Sequence, residues 1–275
     1  MYPLPDDIAD VVANALREDI GNGDLTAGLV ASDVSASAHV IAREDAILCG
    51  SAWFDEVFRQ LEENVTVRWL VSDGDAIKKD QEICRVTGTA RAILTGERTA
   101  LNFLQTLSGT ATITNEYVTL LDGLDTKVLD TRKTIPGLRK AQKYAVLCGG
   151  GTNHRMGLYD AILIKENHIA AAGSIRSVIL AARKNKVPVE IEVENPEQLE
   201  EALAAGANQI LLDNFDLDGL RQAVRINQGR AKLEASGAVD KTTVRSIAET
   251  GVDFVSIGSL TKHVRAIDFS MRFIK

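Results

Sequence analysis

Cysteine is scarce in this 275-residue chain: Cys49, Cys84 and Cys148 are odd in number and far apart. That excludes a disulfide framework and offers no zinc-ligand spacing, leaving reduced thiols in an apolar core as the reading. Net basic charge is also missing. With a formal charge of -7 and a pI near 5.2, no basic domain exists to displace counterions from nucleic acid. No apolar run is long enough to span a bilayer, and the Met-Tyr-Pro-Leu-Pro start lacks the basic and apolar regions of a secretory signal, so a cytoplasmic protein is expected. The glycines at 149–151 are not followed by Gly-Lys-Ser/Thr, which excludes a P-loop. No Ser/His/Asp or Cys/His set offers a covalent nucleophile. An anion bound by this chain must be met by a local cluster of cations.

What is present begins with six short β-branched runs at 126–130, 161–165, 187–194, 208–214, 231–237 and 252–258. Helical patterns separate them, the signature of βα units and a parallel sheet. One such helix starts where Asn195 caps and Pro196 takes the first helical position, ends at Gly206, and turns Leu199, Ala202 and Leu203 toward the sheet. The next starts at Asp216 or Asp218, and a third follows Asp240. The expected fold is an α/β chain with an incomplete βα barrel of about six parallel strands over 111–275. An N-terminal α+β sandwich domain with a connecting helix occupies 1–110. In that first part, a helix over 5–19 and a loop over 20–30 precede strand-like stretches, with Asp73-Gly74-Asp75 reading as a hairpin turn. A helix over 94–109 follows, with Leu94, Leu101, Leu104 and Leu107 on its apolar side and Arg98, Asn102 and Gln105 on its polar flank.

Barrel sites are built where strands end. There the chain carries Asp130, Thr131, Arg132 and Lys133 after the first run, Lys165 to His168 after the second, and Glu190, Glu192 and Glu194 along the third. The fourth ends in Asp213 and Asn214, the fifth in Ser236, Gly237 and Ala238, the sixth in Ile257, Gly258 and Ser259. Small residues at the last two ends let backbone N–H groups approach a phosphate. Glu192 and Asp213, on adjacent strands, suit Mg2+ or sugar hydroxyls. Glu192 is preferred over Glu190 and Glu194, which share its face. In "LDTRKTIPGLRK", Pro136 suits the first turn of a helix, which would turn Leu138, Ala141, Ala145 and Cys148 inward. Arg139, Lys140 and Lys143 would then be solvated, while Arg132 and Lys133 aim at a ligand. A lone histidine reads as a packed residue, but His154 stands beside Arg155. With Arg132 and Lys165 these cations suggest a small polycarboxylate, which arginine forks bind bidentately.

In order along the chain, "EDIGNGDLT", "GERTALNFLQTLSGTAT", "DTRKTIPGLRKAQKYAV", "GGGTNHRMGLYDAILIKENHI", "EVENPEQLEEALAAGANQILLDN", "LEASG" and "GVDFVSIGSLTKHV" resemble the motifs of the quinolinate phosphoribosyltransferase family over nearly the whole length. The resemblance implies transfer of a phosphoribosyl group from phosphoribosyl pyrophosphate to quinolinate with decarboxylation and Mg2+. It implies binding residues at Arg98, Thr131, Arg132, Lys133, His154, Arg155, Lys165, Glu192, Asp213, Ser236, Gly237, Ala238, Ile257, Gly258 and Ser259, with Lys133, Lys165, Glu192 and Asp213 catalytic and Glu192 and Asp213 at the metal. It further implies a homodimer in which Arg98 completes the partner's site. Ala238 departs from the pattern, since many members carry glycine there. Two other readings are a related phosphoribosyltransferase of molybdenum-transport operons acting on another acid, and a carrier module suggested by "VSDGDAIKKDQEI". The latter lacks a carrier lysine tip and leaves the barrel unexplained.

Overall fold

The computed structural model describes residues 2–274. In chain order the first elements are α1 (Ile8–Ile20), β1 (Ser35–Ala42), β2 (Ala46–Ile47), α2 (Ser51–Leu61), β3 (Thr66–Trp69), β4 (Ala76–Ile77), β5 (Glu82–Thr89) and α3 (Ala90–Leu120). Then come β6 (Lys127–Leu129), α4 (Arg139–Cys148), β7 (Ile162–Ile164), α5 (Glu166–Ala172), α6 (Ile175–Ala182), β8 (Val189–Val193), α7 (Pro196–Ala204) and β9 (Gln209–Asp213). The last are α8 (Leu217–Asn227), β10 (Lys232–Ser236), α9 (Val244–Ala248), β11 (Phe254–Ser256), α10 (Ser259–Lys262) and β12 (Phe269–Phe273). Backbone contacts divide the chain into two units. One holds the described residues up to Asn115, Thr134–Gly150 and the described residues from Leu260; the other holds Glu116–Lys133 and Gly151–Ser259.

The first unit is built on an antiparallel sheet ordered β12-β1-β5-β3, with a small β2-β4 pair beside it. Period-two alternation puts Ala38, Val40 and Ala42 of β1 into the core. The edge strand β12 comes from the far end of the sequence and pairs Phe273 with Ala38 through Phe269 with Ala42. The α2 helix packs Trp53, Phe54, Val57 and Phe58, all fully buried. The turn at Asp73-Gly74-Asp75 joins no paired strands, contrary to the hairpin expected: β3 pairs with β5, while β4 pairs with β2. Its chemistry is a cap instead. Asp73 accepts the backbone N–H groups of Gly50 and Ser51 at the start of α2, at 3.2 and 3.1 Å, and Gly74 takes a φ of 94°.

Two further expectations fail in this unit. Leu94 is 36% exposed, whereas Leu101, Leu104 and Leu107 are buried. The α3 helix meets α2 through Gly96 instead, where an added Cβ would lie 2.7 Å from Phe58 and 2.9 Å from Leu61. The α4 helix starts at Arg139, three residues after Pro136, which sits in a turn. Leu138, Ala141, Ala145 and Cys148 face the core as expected, but Lys143 does not face solvent: it is fully buried, because α4 is enclosed on nearly every side. Arg139 and Lys140 are half-buried rather than solvated; Arg139 donates to Thr134 Oγ1 at 3.1 Å and Lys140 pairs with Asp6 at 2.6 Å. All three cysteines are free and buried, with Cys49 and Cys148 brought together beside Asp73.

The second unit carries the six parallel strands in the order β6-β11-β10-β9-β8-β7. They coincide with the six β-branched runs. Register pairs Ser236 with Asp213 and Glu192 with Leu211, so strand ends line up along one rim. The segment after α4 adds a parallel bridge, Thr152 to Leu129, on the free side of β6. His154, two residues on, reaches side chains of both β8 and β10. A residue beside the first strand can do so only if the sheet is rolled into a barrel. Among the covering helices, Asn195 caps α7 by accepting from Gln198 N–H, Pro196 is its first residue, and Leu199, Ala202 and Leu203 are buried. Asp216 caps α8, not Asp218. Among the described residues no helix is long and apolar enough to cross a membrane.

Candidate active site

The rim at the strand ends is where side chains leave the sheet with their backbones already fixed by the ladder. After β6, Thr131 Oγ1 accepts the Lys133 N–H at 3.0 Å, a tight turn that separates Arg132 from Lys133. The two then differ. Arg132 is half-buried, and its Nε is buried with no hydrogen-bond acceptor. Lys133 lies across Gly258: a Cβ added to that glycine would fall 3.0 Å from Lys133 Cδ and 3.7 Å from Nζ. The missing side chain at 258 is what lets the lysine cross the rim.

Arg155 is the second guanidinium. Burial holds its pKa below the usual arginine value, and the nearby Arg132 charge adds to that, while Glu190 and Asp160 oppose it. Its Nη1 donates to the Ala161 carbonyl at 3.3 Å. Two like charges brought together, one with a buried unsatisfied N–H, cost free energy unless an anion completes them. Lys165, the third cation, reaches Glu192 at 2.5 Å, with the carboxylate mostly buried and the ammonium half-exposed.

The carboxylates and small loops sit on the following strands. Asp213 accepts from Asn214 Nδ2 at 2.8 Å, and the Asn214 N–H donates to the Ser236 carbonyl at 2.9 Å. Neither Glu192 nor Asp213 belongs to a group of three metal-ligating side chains among the described residues. Ile257 spends its N–H on the Leu129 carbonyl at 2.9 Å, so the sheet already uses it. The N–H groups of Gly237, Ala238, Gly258 and Ser259 have no such backbone partner among the described residues, and the Ser259 hydroxyl is buried without one. These donors suit phosphate oxygens. Ala238 occupies its loop at a φ of 38°, a conformation that an L-residue adopts at a cost.

Gly237 makes a sharper case. Its φ is 106°, and an added Cβ would lie 2.1 Å from Asn214 Oδ1. Gly237→Ala must therefore push Asn214 away, and Asp213 with it. The expected outcome is a cost of about 1–3 kcal/mol in stability and a raised KM for a phosphate-bearing substrate, read from a thermal melt and from steady-state kinetics on the same sample.

The structure thus gathers Thr131, Arg132, Lys133, Arg155, Lys165, Glu192, Asp213, Ser236, Gly237, Ala238, Gly258 and Ser259 in the barrel unit. Arg98 belongs to the other unit, exposed on α3, and makes no hydrogen bond or ion pair among the described residues. His154 is set deeper, with its Nε2 2.8 Å from Glu190. Asp130, which accepts the His154 N–H at 2.9 Å, and Asn214 are among the strand-end residues of the sequence but carry no assigned role there. Glu234, whose Oε2 lies 3.5 Å from His154 Nε2, escapes the sequence reading.

The chain matches the family descriptions of the quinolinate phosphoribosyl transferase N-terminal domain over residues 24–108 and the corresponding C-terminal domain over residues 110–272. It is 45% identical over 257 residues to a probable nicotinate-nucleotide pyrophosphorylase (carboxylating) of Bacillus subtilis, covering 92% of this chain and 89% of that protein. It is 39% identical over 289 residues to the mitochondrial quinolinate phosphoribosyltransferase (decarboxylating) 2b of Nicotiana tabacum, covering 97% of this chain and 82% of that one. The solved nicotinate-nucleotide pyrophosphorylase of Francisella tularensis has a TM-score of 0.96 and 49% identity, covering 99% of this chain and 98% of that one.

Proposed function

The chain belongs to the quinolinate phosphoribosyl transferase family, and on that premise we propose how its residues perform the reaction of a decarboxylating phosphoribosyltransferase of NAD biosynthesis. Phosphoribosyl pyrophosphate and quinolinate give nicotinate mononucleotide, pyrophosphate and CO2. The observation that carries the assignment is the pair of neighbouring guanidiniums, Arg132 and Arg155, with Arg132 Nε buried and unsatisfied. A dicarboxylate relieves both the repulsion and the orphaned donor. A monocarboxylate does so for one fork only, which disfavours a related phosphoribosyltransferase acting on a simpler acid.

Gly237, Ala238, Gly258 and Ser259 offer N–H groups, and Ser259 a hydroxyl, to the phosphates, while Lys133 crosses Gly258 to meet the pyrophosphate. As pyrophosphate leaves, positive charge grows on the ribose, which the carboxylates of Glu192 and Asp213 stabilise. Lys165 holds Glu192 in place from β7. The ring nitrogen becomes cationic once bonded to ribose, and the electron pair left by departing CO2 is stabilised beside it until a proton from solvent forms the C–H bond at that carbon. No protein nucleophile takes part. Mg2+, when bound, neutralises the pyrophosphate. Glu192 and Asp213 would hold it, since each has a carboxylate oxygen outside its hydrogen bond. We further propose a cytoplasmic homodimer, consistent with three free thiols, in which Arg98 completes the partner's site.

The test is direct. Purified protein with both substrates and Mg2+ is expected to release one CO2 per nicotinate mononucleotide formed, and nicotinate is expected to be a poor substrate. Turnover of nicotinate at the quinolinate rate would overturn the dicarboxylate reading.

A further inference from the structure

Between the Thr152 bridge and β7 the chain runs through 155–161 with no helix or strand, so no ladder fixes the backbone that carries Arg155. Asp160 supplies order there. Its Oδ2 accepts the Met156 N–H at 2.6 Å, and its Oδ1 accepts the Gly157 N–H at 2.8 Å. The next residue, Ala161, offers its carbonyl to Arg155 Nη1 at 3.3 Å. The segment is thus closed twice: the backbone just after Arg155 on the side chain of residue 160, and the side chain of Arg155 on the backbone of residue 161. Gly157 is buried, and the Tyr159 ring covers it so closely that an added Cβ would lie 2.5 Å from Cε1.

Hydrogen bonds to an ionised acceptor are about twice as strong as neutral ones, and two of them share this carboxylate. Its loss leaves the N–H of buried Gly157 without that acceptor, at a cost in free energy. A segment so altered gains by opening toward water, and Arg155 moves with Met156. The repulsion between Arg155 and Arg132 pushes the same way. We propose that Asp160 is a positioning residue: through the Met156 and Gly157 amides it holds Arg155 beside Arg132, so that the two forks are spaced for a dianion before it arrives. The identity of that dianion rests on the function proposed above; the hold on Arg155 does not. The Asp160 carboxylate also favours the charged guanidinium, as Glu190 does, against burial and the Arg132 charge.

The experiment reads both the arginine and the reaction. In ligand-free, full-length protein labelled with 15N, the Nε–Hε signal of Arg155, identified by its loss in Arg155→Lys, is expected to relax as an ordered group. In Asp160→Ala it is expected to become mobile on the ps–ns timescale. The same variant is expected to raise the KM for quinolinate about ten-fold, the order of one lost hydrogen bond, with the KM for phosphoribosyl pyrophosphate little changed. Asp160→Asn keeps one acceptor and is expected to fall between the two proteins in both measurements. Leu158→Ala, at a side chain 75% exposed in the same segment, is expected to match wild type throughout. Thermal melts verify that each variant is folded; should Asp160→Ala not fold, Asp160→Asn decides. An Arg155 signal equally ordered with and without the carboxylate, or equal rises in both KM values, would overturn the proposal. If wild-type protein does not turn over quinolinate, the functional reading falls, and the relaxation result alone decides whether Asp160 holds Arg155.

Discussion

Protomers carrying Arg98→Ala and protomers carrying Lys133→Ala, each inactive as homodimers, are expected to regain activity when mixed and allowed to re-associate. The argument starts from Arg98. It projects from α3 into solvent and makes no hydrogen bond or ion pair among the described residues of its own chain. Lys133, by contrast, lies on the rim of the barrel across Gly258. In the symmetric dimer we propose, each site takes Lys133 from one protomer and Arg98 from the other. A mixed dimer then has one site with both lesions and one with neither, so each heterodimer should reach up to about half the activity of a wild-type dimer, by the symmetry of an isologous pair. Mass spectrometry of differently tagged chains verifies that heterodimers formed. If they form and stay inactive, Arg98 does not complete its partner's site.

Much of this is legible in the sequence. The six barrel strands stood out because each is a short β-branched run bounded by helix signals, and α7 because Asn195, Pro196 and Gly206 mark its ends by local chemistry. The rim residues followed from the strands, since a barrel gathers whatever ends its strands. What escaped depends on contacts distant in sequence. β12 takes its place beside β1 through pairing across most of the chain, which no local pattern announces. Lys143 was assigned to solvent because lysine usually is, yet α4 is enclosed and carries it inside. Glu234 was overlooked because a buried carboxyl contradicts the polarity rule that places acids at the surface. It is legible only once His154 and Glu190 are seen converging on it.

Arg132→Ala is expected to lower kcat/KM far more than Arg139→Ala, although both lie in the same basic stretch. The Arg132 Nε is buried with no acceptor, so the protein has already met the cost of desolvating it and recovers it only when an anion arrives. Removing a charge pair of that kind costs about 2–5 kcal/mol, which in kcat/KM is roughly 30-fold to several thousand-fold. Arg139 has its donor satisfied by Thr134 at 3.1 Å and starts a helix whose other side is core. Its truncation should appear in stability, at about 1 kcal/mol for a lost hydrogen bond, with kcat/KM near wild type. Arg132→Lys separates charge from geometry. If the site needs the planar fork for a carboxylate, the ammonium restores little of the activity, because it offers a point charge where two parallel donors are required. Full rescue by lysine would mean that only the charge at 132 matters. Equal losses from Arg132→Ala and Arg139→Ala would place the boundary between binding and packing elsewhere in the stretch.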